Sequence, residues 1–454
     1  MAFPLALAGL VALTLPLGWI GPRWRPGLSL LASGWFWLMV LRQPWPGLMV
    51  LLGLIPLTQV LARRIAAAPH PRPRLGLAIA IALLLWWSLR PGSAWGTLGL
   101  SFALFESLGY LIDQQRRRYP LPSLAEFLSY RSFVPKLLAG PLTPYPTWAI
   151  QQPRPLVLDA PRLAEALWLI ALGLFRKRVI GDRCGQIATL ILSQSEQAGS
   201  GDLQLALVCL GLQIYFDFAG YTDLARGGAM LLRIWLPENF RGPYFSTSLS
   251  EFWRRWHISL GLWLREYLYL PLGGSRRGLG RTCGNLMLVM LLVGAWHGPS
   301  PGFLLWGLLQ GLGLVLHRLT RTLCEPQRLL VLLWGSWPGQ IIGWGLTQAW
   351  VFGSWLVFRL PLEQARSVLF RLWGQPAHPE FTQRLYLEGL GLSATEIRLG
   401  LLGIGLFMGL RQLWRQRGSP PPPAWLPTLA VPPLLYASWV LAPVEAPPFI
   451  YWGF

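Results

Sequence analysis

Residues 282–317 read TCGNLMLVMLLVGAWHGPSPGFLLWGLLQGLGLVLH, a run of 36 without Asp, Glu, Lys or Arg. His297 stands near its middle, directly before the helix-breaking stretch Gly298-Pro299-Ser300-Pro301-Gly302. The apolar residues on either side of this break form two helical arms folded back on each other. Counted within the window, each arm has about 14–15 residues, which at 1.5 Å per residue reach about 22 Å against roughly 30 Å of bilayer hydrocarbon. Arms that short place the turn inside the protein, where irregular backbone is tolerated only if it is buried in protein or lines a cavity. A histidine held there stays neutral and can take a proton from an incoming nucleophile, as acyl transfer requires. A hydrogen-bonded packing histidine is the competing reading.

Working outward, the rest of the chain has the same character. Of 454 residues, 53% are hydrophobic and 13% charged, with mean hydropathy +0.43, too little polar surface for a soluble protein of this size. Residues 1–22, 43–62, 329–358 and 418–444 are also free of Asp, Glu, Lys and Arg. Apolar runs near 4–20, 28–42, 45–62, 75–89, 94–112, 161–180, 203–221, 283–296, 303–317, 329–360, 397–411 and 424–443 predict about a dozen transmembrane or re-entrant helices. The expected fold is all-α and polytopic. It forms one integral membrane domain over residues 1–454, with N-terminal helices in 1–97, a core in 98–360, and a C-terminal loop and helices in 361–454. Residues 1–20 lack the charged start and small-residue cleavage site of a signal peptide and read as a retained first helix. No internal repeat is apparent.

The net charge of +20 does not indicate nucleic-acid binding, because the basic residues are dealt out between spans rather than gathered on one face. The positive-inside rule explains them. With the N-terminus outside, nine arginines up to Arg118 fall inside and only Arg42 and Arg90 outside. Cys184, Cys209, Cys283 and Cys324 have no CxxC spacing, so neither a metal site nor a disulfide framework is indicated. No phosphate-binding GxxxxGK[ST] run is present, and Gly273-Gly-Ser-Arg-Arg-Gly278 is glycine-rich without a preceding strand.

Two further places concentrate ionisable and aromatic residues. Glu251-Phe-Trp253-Arg254-Arg255-Trp256-His257, continuing to Leu270, has helical spacing that lets Glu251 pair with Arg254 or Arg255. Its composition suits a helix lying in the interface or lining a polar vestibule. Asp217, in Tyr215-Phe-Asp-Phe-Ala-Gly-Tyr-Thr-Asp223, is an acid inside an apolar segment and is expected to be paired or functional. Arg226, Arg233, Arg254 and Arg255 are the expected partners. His70, His317 and His378 read as solvated or capping residues.

The motifs Asn239-Phe-Arg-Gly-Pro-Tyr244, Glu251 to Leu260, Tyr267-Leu-Tyr-Leu-Pro-Leu-Gly-Gly274 and Trp296-His297-Gly298 resemble the membrane-bound O-acyltransferase (MBOAT) family in its alginate O-acetylation branch. Tyr215–Tyr221, Gly140-Pro141, Gly173–Lys177 and Pro448–Phe454 extend the likeness in family order. The chain departs from the branch pattern at Gly261, Glu266 and Trp452-Gly453. The resemblance implies helices around a central funnel or tunnel that carries an acyl group from a cytoplasmic donor to an extracytoplasmic acceptor. It implies that His297 is the catalytic histidine and His257 a second polar group. Asp217, Asn239, Glu251, Trp253, Arg254, Arg255, Trp256 and Trp296 become substrate or tunnel candidates. It further implies no bound cofactor and no metal, an acyl-thioester donor such as acetyl-CoA, an exported polysaccharide as acceptor, a periplasmic acyltransferase partner, and a bacterial inner membrane location. D-alanyl transfer to a cell-wall polymer is the alternative within the family. A transporter using His297 and Asp217 is the alternative from another class, although no inverted repeat supports it.

Overall fold

The computed structural model describes residue 27 and residues 45–89, 99–137, 139–153, 157–418 and 425–444. The expected helices at 4–20 and 28–42 lie outside the described residues. Sixteen helices organise the rest: α1 (Trp45–Ala66), α2 (Pro71–Leu89), α3 (Leu100–Gln115), α4 (Leu124–Arg131), α5 (Ala160–Leu174), α6 (Asp182–Ser193), α7 (Ser200–Leu231), α8 (Leu249–Arg255), α9 (Ile258–Leu264), α10 (Gly278–His297), α11 (Pro301–Cys324), α12 (Arg328–Gly335), α13 (Trp337–Arg359), α14 (Leu362–Phe370), α15 (Ala394–Gln416) and α16 (Trp425–Val440). Shorter turns and π-helical segments, among them Phe175–Gly181 and Arg265–Tyr269, connect them. The described residues contain no strand.

Five of these helices, α2, α7, α10, α11 and α13, are long and apolar enough to cross a bilayer, and the segment Pro379–Leu390 bent by 62° against α15 adds a sixth when counted as one span. Among the described residues this is fewer than the ten runs of the expected dozen that fall there. In α3, 14 of 16 residues are buried and the helix carries Glu106 and Asp113, so its apolar residues face protein. Helix α5 runs out after 15 residues into the π-helical turn holding Arg176, Lys177 and Arg178. The run 329–360 is two helices, because Ser336 accepts a hydrogen bond from Gly339 N and Pro338 sits in the first turn of α13, where proline's missing N–H costs nothing.

Helix α7 is the centre of the fold, with 32 residues, about 48 Å at 1.5 Å per residue. Small residues let its neighbours approach. A Cβ on Gly220 would lie 2.8 Å from the Gly173 carbonyl oxygen of α5, and one on Gly173 would lie 2.7 Å from that of Gly220. The main buried cluster sits where α3, α7, α8–α9, α10–α11 and α13 converge, and it is rich in Phe and Trp.

The arms about His297 are longer than the charge-free window. Helix α10 has 20 residues and α11 has 24, because Arg281, Arg318 and Arg321 lie within them. Their length therefore does not force the turn below a surface, and Pro299, Ser300 and Pro301 are exposed while His297 is buried. Ser300 caps α11 by accepting a hydrogen bond from Gly302 N.

Candidate active site

The segment expected as one helix from Glu251 to Leu270 is broken at His257. Ser248 accepts a hydrogen bond from Glu251 N and starts α8. Glu251 Oε2 in turn accepts from Thr247 N (2.8 Å) and Thr247 Oγ1 (3.0 Å), while its other oxygen meets Arg255 at 2.5 Å. After Trp256 the backbone leaves the helix, and His257 adopts φ 44, ψ 54 in the left-handed region. For a non-glycine residue this conformation costs about 1–2 kcal/mol and persists only where the surroundings impose it. Asn239 does so twice, since its carbonyl oxygen accepts from Ile258 N at 3.0 Å and its Oδ1 accepts from Ser259 N at 3.1 Å. Ser259 Oγ then accepts from Leu142 N at 2.9 Å, tying the turn to the loop before residue 145.

The His257 side chain that results is 2% exposed. Its ring stacks on Phe102 at 6.0 Å and meets the edge of Phe218 at 4.6 Å. Neither ring nitrogen has a hydrogen-bond partner among the described residues. Buried polar atoms are ordinarily satisfied, and an exception calls for an explanation such as a bound water or a reacting group.

His297 is the last residue of α10, 5% exposed. The crossing of α10 and α11 sets its position. A Cβ on Gly294 would lie 2.5 Å from the Phe303 carbonyl oxygen and 3.1 Å from Gly307 Cα, so the two backbones touch where a side chain would part them. The ring sits in an aromatic cage with Trp296 at 4.5 Å, Phe358 at 5.0 Å, Trp306 at 5.3 Å and Phe303 at 5.9 Å between centroids. The indole N–H groups of Trp296, Trp306 and Trp355 are buried and have no acceptor among the described residues. Phe102 stacks on His257 and meets Trp296 edge-on at 6.1 Å, and Trp296 in turn contacts the His297 ring. The arrangement is a buried aromatic site holding two imidazoles and several indole N–H donors without an acceptor among the described residues. Such a site can take a proton and stabilise charge developing on an oxygen.

Of the residues singled out from the sequence, His257, His297, Asn239, Trp256 and Trp296 come together here. Trp256 packs on Phe240 at 5.0 Å and on Trp355 at 5.4 Å. Trp253 reaches the edge of the cage through Trp306 at 6.0 Å and donates to Gln310 Oε1 at 3.2 Å. Glu251 and Arg255 pair with each other and brace α8, and Arg254 lies exposed within 3.4 Å of Ser250 Oγ. The α8–α9 segment packs one face into the protein, where Phe252, Trp256, His257 and Leu260 are all buried.

Asp217 differs most from the sequence reading. It is fully buried, and it pairs with Lys177, whose Nζ lies 2.9 Å from Asp217 Oδ1 and 2.5 Å from Asp182 Oδ1. Arg178 completes the cluster at 2.9 Å from Asp182 Oδ2. The π-helical turn after α5 brings both cations to this point, and a turn that adds one residue to a helix leaves no periodic signature in sequence. Asp223 does pair with Arg226, at 3.6 Å, and also with Arg176. Phe102, Trp306, Trp355 and Phe358 were not singled out, since an aromatic residue in an apolar helix looks the same whether it packs a core or cages a reacting group.

A family model described as MBOAT, membrane-bound O-acyltransferase family, matches residues 78–351. Among curated proteins, the chain is 32% identical over 326 residues to the protein named probable alginate O-acetylase AlgI of Pseudomonas putida, covering 71% of this chain and 64% of that one. It is 36% identical over 287 residues to the protein of the same name from Azotobacter vinelandii (60% and 57%), and 35% identical over 300 residues to the peptidoglycan O-acetyltransferase of Helicobacter pylori (60% and 56%). The match thus spans less than two thirds of the length of these relatives.

Proposed function

The chain belongs to the membrane-bound O-acyltransferase family, and from that premise we propose that it is an integral membrane enzyme that transfers an acetyl or other short acyl group from a cytoplasmic thioester donor to a hydroxyl acceptor bound for the far side of the membrane. The acceptor is an exported polysaccharide, reached through a periplasmic acyltransferase partner in a bacterial inner membrane. The observation that carries this reading is the pair of buried histidines linked through Phe102 and Trp296, one of them in a left-handed backbone conformation with both ring nitrogens unpartnered among the described residues.

In the proposed step His297 takes the proton of the acceptor hydroxyl as its oxygen bonds to the thioester carbonyl carbon. The carbonyl becomes an oxyanion within reach of His257 and the cage indoles, and it collapses with cleavage of the C–S bond. The thiolate leaves and recovers the proton from His297, so the ester and free thiol are the only products. General-base catalysis of this kind is worth about 10²–10⁴-fold, and removal of one oxyanion donor about 10²–10³-fold.

The test compares O-acyl content of exported polysaccharide in the parent, a deletion strain, and strains carrying His297→Ala or His257→Ala at matched membrane levels. Loss in the deletion and in His297→Ala is expected, with a smaller residual in His257→Ala than in the parent. Retained acylation in His297→Ala would move the base elsewhere. Unchanged O-acetyl content in the deletion with loss of ester-linked D-alanine would reassign the acyl group.

A further inference from the structure

Apart from the histidine site, a cavity of about 1170 Å³ opens between α5, α7, α15, α16 and the loop at Glu238–Phe245. None of its lining residues is His257, His297 or a residue of the His297 cage. Phe240 and Tyr215, packed at 5.6 Å, line it, and Phe240 meets Phe218, which in turn contacts His257.

The cavity has two unlike ends. One wall is apolar, with Leu172, Ile180, Ile404, Phe407 and Met408 on it. It continues onto the outer face of α15, where Leu399, Leu402, Leu406 and Leu410 are exposed. At the other end Arg176, Arg226, Arg411 and Arg415 gather with Asp223 and Glu238.

Each of these two carboxylates is already matched twice. Asp223 meets Arg176 and Arg226, and Glu238 meets Arg415 at 3.0 Å and Arg241, just outside the lining, at 3.2 Å. Arg411 has no salt-bridge partner among the described residues; its neighbours Arg176 and Arg415 repel it, and the Asp223 carboxylate that attracts it is already held by two other arginines. Glu165, the remaining acid of the lining, is exposed at the rim. The polar end therefore carries a surplus of guanidinium, whose planar fork suits phosphate oxygens. Beside it runs an apolar trough open to the lipid-facing side.

The geometry points to a binding site for an anionic membrane amphiphile, its phosphate headgroup on Arg411 and Arg415 and its hydrocarbon chain along the wall from Met408 to Leu172. The proposed contacts lie apart from the two histidines, although Asn239, which holds the His257 turn, also lines the cavity, and the site holds a lipid rather than a soluble phosphate ester because the apolar wall continues onto the exposed leucines of α15.

The test uses the full-length protein purified in detergent, stripped of lipid and titrated with phosphatidylglycerol or phosphatidylcholine, with bound lipid counted by native mass spectrometry. Saturable binding is expected, about tenfold tighter for phosphatidylglycerol. It should be retained in Arg411→Lys and weakened at least tenfold in Arg411→Gln. Gly403→Leu fills the trough without a clash at its Cβ, which meets nothing within 4 Å, and it should also weaken binding, so the result does not rest on one variant. Equal binding of the two lipids, or phosphatidylglycerol binding unchanged in both Arg411→Gln and Gly403→Leu, would overturn the inference. Displacement of the lipid by millimolar inorganic phosphate or by coenzyme A would also overturn it, assigning the site to a soluble phosphate ester.

Discussion

Replacing Lys177 by methionine keeps the length of the side chain and removes the charge that two buried aspartates share. Asp182 and Asp217 are both fully buried, and Lys177 Nζ lies 2.5 and 2.9 Å from them. Asp182 keeps Arg178 at 2.9 Å, so the loss falls mainly on Asp217, in the middle of α7. Removing one partner of a buried ion pair costs about 3–5 kcal/mol, because a charge is left in a poorly solvating place. The Lys177 side chain is itself 17% exposed, which puts the expected cost near the lower limit, about 3 kcal/mol. In a chain of this length that lowers the melting temperature of the detergent-solubilised protein by roughly 3 °C. The double variant Lys177→Met with Asp217→Asn removes both charges and should recover most of the loss, giving a coupling of about 2 kcal/mol in the double-mutant cycle. A Lys177→Met protein that melts with the parent, or a double variant no more stable than Lys177→Met, would refute the assignment of this cluster as the fastening between the α5–α6 turn and α7.

Three further outcomes follow from the same structure. Asn239→Ala removes the Oδ1 acceptor of Ser259 N and should lower acyl transfer at least tenfold at matched membrane levels while costing about 1–2 kcal/mol of stability, read by polysaccharide O-acyl content and thermal melting. Gly307→Ala places a Cβ 2.6 Å from the Met290 carbonyl oxygen and should cost about 1–3 kcal/mol by pushing α10 from α11; unchanged melting would show that the crossing can relax. The hydrogen bond from Arg118, offset in part by burial, holds the Glu266 carboxyl below its ordinary value of 4.5. Since the folded value is the depressed one, the clamp between α3 and the segment Arg265–Tyr269 contributes fully above about pH 4.5 and is lost as pH falls through the depressed value. Glu266 is partly exposed, so Glu266→Gln should cost no more than about 1 kcal/mol, and the difference between it and the parent should vanish on acidification.

Much of the site is legible in the sequence because its residues carry chemistry that an apolar chain seldom keeps. His297 stands out inside a charge-free run, and His257 stands among tryptophans and arginines. What spacing cannot show is where a helix stops being one. Helical periodicity treats Glu251–Leu270 as continuous, whereas Asn239, from a loop a dozen residues earlier, supplies the two acceptors that hold His257 in its left-handed turn. The same limit explains Asp217. Its sequence neighbours Arg226 and Arg233 were the natural candidates, but its cation comes from Lys177, 40 positions away, through a π-helical turn.

Composition and hydropathy by themselves determined that this is an all-α membrane protein, because burying so few charges among so many apolar residues leaves a bilayer as the medium that satisfies both. The histidines were likewise singled out by sequence, since a polar group is costly in such a setting. The link between those histidines through Phe102 and Trp296, the partners of the buried acids and the surplus guanidinium beside the cavity of α15 were decided by tertiary structure alone. Each depends on side chains from distant helices arriving within a few ångströms of one another, and contacts of that range follow from how helices cross and break rather than from the order of residues along any one of them.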